Sequence, residues 1–149
     1  MTPPPHETRS TPRGLMAAPA VASLIALAIH VVISWPWGLL AALYGVVAVA
    51  IAWPSARVLW TFLTTRGGAR ASARTLLLAH FGALLAAAVL APVVVNGGLS
   101  VYRLMTEGTT GSWAPWDGFA GVIPVVIAYA LVSLSTAANL RRRAADSTA

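Results

Sequence analysis

Two histidines, His30 and His80, are the only side chains that titrate near neutral pH well inside the apolar runs of this 149-residue chain. Ionisable groups inside a membrane span are pointers to function, and two histidines can be the axial ligands of one haem. Both rings would have to reach the same iron from nearly equal depth, but their depths in the membrane differ by about 16 Å at the helical rise of 1.5 Å per residue. We therefore expect no cofactor. His30 and His80 are the candidate haem ligands, and for each the alternative is a neutral ring hydrogen-bonded to a neighbouring helix.

Other catalytic chemistry is scarce in the sequence. The chain has no cysteine and only four acidic residues, Glu7, Glu107, Asp117 and Asp146, none of which lies inside an apolar run. Proton relays and cation transport need intramembrane carboxylates, and catalysis needs a nucleophile with a base, a metal cluster or paired acids. The sequence therefore predicts neither an enzyme nor a metal site.

The composition indicates a protein that is solvated by lipid. Apolar residues make up 58% of the chain and charged residues 9%, and the mean hydropathy is +0.75. A soluble domain carries about 25% charged residues. Four apolar runs, at about 15–34, 38–59, 75–95 and 118–140, are each long enough to cross a bilayer as a helix. We predict an all-α integral membrane protein with four transmembrane helices in an up-down bundle.

The remaining segments are polar. Residues 1–14 are rich in proline and predict a disordered cytoplasmic tail. The transmembrane domain then spans residues 15–140 and includes an outer loop at 96–117. A basic cytoplasmic tail follows at 141–149.

Ten arginines and no lysine give the chain its positive charge. Four spans place nine of the arginines on one side and Arg103 alone on the other. The positive-inside rule then predicts cytoplasmic N- and C-termini, and we expect the cell inner membrane as the location. Because the arginines lie between apolar runs, we expect no nucleic-acid binding. The arginines predicted to set topology and contact lipid headgroups are Arg66, Arg70, Arg74, Arg141, Arg142 and Arg143.

Small residues recur every fourth position on three of the spans, and such ridges let helix backbones approach closely in lipid. We expect these ridges to face neighbouring helices. On the first span the ridge consists of Ala18, Ala22, Ala26 and His30; on the second, of Ala41 and Gly45, then Ala48, Ala52 and Ala56; on the third, of Ala79, Ala83, Ala87 and Ala91.

The outer loop contains the most specific surface in the sequence. Its residues 99–107 have the spacing of a short amphipathic helix that lies at the interface; the alternative is a plain connection. The candidate partner contacts are Leu99, Tyr102, Arg103, Met105 and Glu107.

The leading functional hypothesis is an accessory or scaffold subunit of a larger membrane assembly, without catalysis of its own. Its partners would be the lipid bilayer and other membrane subunits or a second copy of this chain. The alternative is an oligomeric transport component for a neutral or amphipathic solute, with His30 or His80 lining the path. A haem-binding membrane anchor is the third hypothesis.

Overall fold

A computed structural model describes residues 13–34, 38–66, 72–109 and 115–146. These residues form α1 (Arg13–Ile33), α2 (Gly38–Thr61), α3 (Ala73–Glu107) and α4 (Pro115–Asp146), and a π-helical turn, Phe62–Arg66, continues α2. All four α-helices are long and apolar enough to cross a membrane. The predicted all-helical protein with four such helices is confirmed. The fold is compatible with a helical bundle and fits a multi-pass membrane protein.

Helix α3 is longer than the predicted third span. Ser72 caps its first turn by accepting a hydrogen bond from the backbone N–H of Thr75. The helix continues through Gly97 and Gly98 and stops only where Gly108 adopts a left-handed conformation, with φ of 67°. The first part of the predicted outer loop is therefore helical. Residues 99–107 form a helix as the amphipathic spacing suggested, but this helix is continuous with α3.

The ends of α1 and α4 also extend beyond the predicted spans. Helix α1 begins at Arg13, inside the segment predicted as a tail, and residues 1–12 lie outside the described residues. Helix α4 begins at Pro115, because proline fits the first turn of a helix, where its missing N–H costs nothing. It continues to Asp146 and so takes most of the predicted basic tail into the helix.

The four helices alternate in direction. Met16 near the start of α1, Ala56 near the end of α2 and Leu76 near the start of α3 belong to one apolar cluster, against which Leu140 of α4 packs. We call this the arginine end, because Arg57, Arg66, Arg74, Arg141 and Arg142 lie on the same helix ends. Helix α2 packs against all three others, and α4 does likewise, whereas α1 and α3 do not pack together within the described residues.

Two of the three predicted small-residue ridges are buried between helices. All five members of the α2 ridges and all four of the α3 ridge are buried, as predicted. On α1 the prediction was wrong: Ala18 is exposed, and Ala22, Ala26 and His30 are half-buried. The face of α1 that enters the bundle instead carries Met16, Pro19, Ala20, Ser23 and Leu27. Spacing identifies a ridge, but the position of the neighbouring helices decides whether it is covered.

The end of α1 and the start of α2 approach each other closely at Gly38. A Cβ atom added to Gly38 would lie 2.9 Å from the backbone of Val31, which is too close for any carbon contact. In contrast, a Cβ atom added to Gly97 or Gly98 would meet nothing within 4 Å. Gly38 is therefore required for packing, whereas the other two glycines are not.

We predict that Gly38→Ala destabilises the protein by about 1–3 kcal/mol, because the new methyl group must push α1 away from α2. The matched control is Gly98→Ala, for which we expect unchanged stability or a gain of up to about 1 kcal/mol from helix propensity. Thermal unfolding midpoints of the detergent-purified variants measure both effects. Equal midpoints for the two variants would contradict the packing argument.

Candidate functional site

The most polar feature of the core joins α3 to α4. The Nδ1 atom of His80 lies 2.9 Å from the hydroxyl oxygen of Tyr129, and both side chains are fully buried. Their rings meet edge to face, with centroids 5.3 Å apart and an interplanar angle of 66°. This arrangement is favourable for aromatic rings beyond the area that it buries. The pair therefore combines a hydrogen bond with close packing at one helix–helix contact.

Helix α4 positions Tyr129 through residues spaced four apart along its inner face. Val125, Tyr129, Ser133 and Ala137 are all buried. The hydroxyl of Ser133 donates a hydrogen bond of 2.7 Å to the carbonyl oxygen of Tyr129 on its own helix. This bond satisfies the hydroxyl of Ser133 within α4 itself.

The second ring nitrogen of His80 has no partner among the described residues. Its Nε2 atom is buried and makes no hydrogen bond there. A neutral imidazole carries one N–H donor and one acceptor, so the Tyr129 hydroxyl satisfies only one of the two. Loss of that hydroxyl would leave the whole ring unsatisfied in an apolar core.

Two further polar links connect the helices. On α1, the hydroxyl of Ser23 lies 2.8 Å from the carbonyl oxygen of Pro19 and 3.2 Å from that of Val125 on α4. On α2, the hydroxyl of Tyr44 donates to the Oδ1 atom of Asn96 on α3. Ser23, Tyr44, Asn96 and Tyr129 were not predicted from the sequence, because none of them is charged or titrates near neutral pH. Each of them could have been recognised in the sequence as a polar side chain inside an otherwise apolar run.

The structure keeps the two histidines apart. His80 lies between Leu76 and Ala83, which belong to the apolar cluster at the arginine end. His30 lies in the last turn of α1, toward the opposite end, where its side chain is half-buried. The helices that carry them do not pack together. The two rings therefore lie at different depths of the bundle, as their positions in the sequence suggested.

The candidate partner contacts lie on the C-terminal part of α3, which projects as a continuous helix. Leu99 packs partly against the core, and Arg103 is half-buried. Tyr102, Met105 and Glu107 are exposed, with Met105 reaching 82%. A large apolar side chain this exposed marks a surface that is available for contact.

The described arginines near the bundle ends are accessible. Arg57, Arg66, Arg74, Arg141 and Arg142 are all exposed. Arg70 and the side chain of Arg143 lie outside the described residues. Among the described residues no group of three His, Cys, Asp or Glu side chains could hold a metal ion. The described carboxylates of Glu107 and Asp146 are exposed rather than in the core.

The comparisons with known proteins add no family. No protein-family model matches the chain. The comparison with curated proteins finds no match, and neither does the comparison with solved structures.

We predict that Tyr129→Phe lowers the free energy of unfolding by about 1–3 kcal/mol, because it leaves a buried imidazole with no hydrogen-bond partner. The exposed Tyr102→Phe is the matched control, with an expected change within about 0.5 kcal/mol. The double variant His80→Phe/Tyr129→Phe removes both polar partners, so we expect it to regain part of the loss. Unfolding in detergent is the measurement. A Tyr129→Phe variant as stable as Tyr102→Phe would contradict the role of the pair.

Proposed function

We propose that this chain is an accessory or scaffold subunit of a larger membrane assembly and has no catalysis of its own. The observation that carries the proposal is that the bundle covers the ridge of Ala18, Ala22, Ala26 and His30 on α1 only in part: Ala18 is exposed and the other three residues are half-buried. The ridges on α2 and α3 are buried inside the bundle, whereas that on α1 is left at its flank. The α1 flank is therefore proposed as the docking site for a partner's transmembrane helix.

The chemistry of the α1 flank suits a helix better than it suits lipid. Apolar side chains gain little by leaving lipid for protein, so association depends on close packing along small residues. Ala22 and Ala26 are each half-buried and leave room for another backbone to approach. At the end of the ridge, the ring of His30 is half-buried. A neutral imidazole carries one donor and one acceptor, so a polar atom on a partner helix could form a hydrogen bond with it.

The projecting end of α3 offers a second surface to the same partner. Tyr102 and Met105 are exposed there beside Arg103 and Glu107. Tyrosine, methionine and arginine are enriched in protein–protein interfaces. This composition supports a contact outside the bilayer, close to the end of α1 that carries His30.

The proposed orientation places the arginine end and both chain termini in the cytoplasm of the cell, with the inner membrane as the location. Five arginines whose side chains are described lie at the arginine end, whereas Arg103 lies on the projecting end of α3. Positively charged residues are retained on the cytoplasmic side during insertion. Arg66, Arg74, Arg141 and Arg142 would then meet the negatively charged lipid headgroups of that leaflet.

Two experiments distinguish the transport and haem-anchor hypotheses from this proposal. Solute uptake into liposomes that contain only this chain would favour transport. A Soret absorption band lost in His30→Ala or His80→Ala would favour a haem anchor. The fully buried His80 ring, packed on Tyr129, supports a structural role for that histidine instead.

We predict that a photo-crosslinking amino acid at position 26 gives a discrete protein adduct in intact membranes. The same amino acid at Ala50, an exposed alanine of α2, should give no discrete protein adduct. The adduct mass identifies the partner as a different subunit or a second copy of this chain. No adduct at position 26, or equal adducts at both positions, would contradict docking on the α1 flank.

We also predict that Ala22→Leu/Ala26→Leu weakens recovery of that adduct partner with the purified chain on the order of tenfold. The added side chains prevent close approach and cost about 1–3 kcal/mol at the contact. Ala50→Leu is the control with the same chemistry on another face and should leave recovery unchanged. Unchanged recovery with the double variant would argue against the ridge.

The orientation is tested by reporter fusions that are active on only one side of the membrane. We expect a reporter inserted after Thr109 to report the non-cytoplasmic side. A reporter fused after Ala149 should report the cytoplasm. Both reporters on the same side would contradict the proposed arrangement of the four spans.

A further inference from the structure

An open groove of about 610 Å³ follows one side of the end of α2 and its π-helical turn. One part of its lining is apolar and exposed, formed by Pro54, Val58 and Phe62. Arg57 and Arg66 line the other part. The groove thus combines an apolar strip with two cations on one surface.

The π-helical turn explains why both arginines line the same groove. Arg57 and Arg66 are nine residues apart, which is about two and a half turns of a regular α-helix and would direct them to opposite sides. The turn from Phe62 to Arg66 has the wider i→i+5 hydrogen-bond pattern. This change of helical phase moves Arg66 toward the side that carries Arg57.

Two threonine hydroxyls lie between the arginines, and both donate to backbone carbonyl oxygens rather than to an anion. The hydroxyl of Thr61 donates to the carbonyl oxygen of Arg57 at 2.9 Å, and that of Thr65 donates to Thr61 at 2.6 Å. With these protons committed to the backbone, the guanidinium groups are the charged donors of the groove. No carboxylate lies among the described residues that line it. Arg57 also lies over the ring of Trp53, 6.0 Å from its centroid.

We propose that this groove binds one anionic phospholipid. The phosphate headgroup bridges Arg57 and Arg66, and an acyl chain follows Pro54, Val58 and Phe62. Charge complementarity selects an anionic headgroup, since the groove carries two cations, and arginine pairs well with phosphate oxygens. The apolar strip selects a lipid over free phosphate. This site does not depend on the partner proposed for the α1 flank.

The test measures lipid binding to the full chain purified in detergent, by native mass spectrometry and by the shift of the unfolding midpoint. The added compounds are phosphatidylglycerol, zwitterionic phosphatidylcholine and inorganic phosphate. We expect binding and stabilisation by phosphatidylglycerol alone. Equal stabilisation by phosphatidylcholine would overturn the role of charge, and equal stabilisation by inorganic phosphate would overturn the lipid as the ligand.

The variants Arg57→Gln and Arg66→Gln test the site itself. Each is expected to weaken phosphatidylglycerol binding about fivefold, as expected for the loss of one basic contact to an anionic headgroup. Arg103→Gln removes an arginine near the C-terminal end of α3, at the opposite end of the bundle from the groove, and should leave binding unchanged. Circular dichroism without lipid confirms that each variant is folded. Wild-type binding by both groove variants, or an equal loss in Arg103→Gln, would overturn the proposal.

Discussion

In a lipid environment, helices gain little from burying apolar side chains, so close packing and hydrogen bonds must hold this fold together. Among the described residues, close packing of small residues and hydrogen bonds between helices each occur at a few places. Buried alanines bring α2 and α3 into contact, and three polar links join pairs of helices: Ser23 with α4, Tyr44 with Asn96, and His80 with Tyr129. Each link satisfies polar atoms that would otherwise lie unpaired in an apolar interior. The polar atoms of the core therefore serve helix association.

Much of the fold follows from the sequence because apolar length is a direct signal for a membrane-spanning helix. The same signal fails at helix ends. Gly97 and Gly98 resemble a helix stop, yet α3 passes through them, and a left-handed Gly108 ends it. Spacing also identified the ridges without revealing which ones are covered. Among the described residues, helix α1 contacts α2 and α4 but not α3, so its alanine ridge is left at the flank. That outcome depends on tertiary arrangement, which no local pattern contains.

The site was predictable in part. An imidazole inside an apolar run is conspicuous, and His80 was identified on that ground. Its partner was not, since Tyr129 is 49 residues away and the contact depends on the register of α3 against α4. The buried spacing of Val125, Tyr129 and Ser133 gives the face of α4 but not the residue opposite. The groove at the end of α2 was also hidden, because a regular helix would separate its two arginines.

The proposed docking sites lie at the perimeter of the bundle. In the core, Ser23, Tyr44 and His80 find partners in a backbone carbonyl, Asn96 and Tyr129, and the Nε2 atom of His80 is left without a partner among the described residues. At the perimeter, the half-buried His30 ends the partly covered ridge of α1, and two arginines share a groove that holds no acid among its described residues. We propose that a partner helix docks on the ridge and that a phospholipid headgroup binds in the groove. One small bundle would then hold a protein partner and an ordered lipid on separate faces.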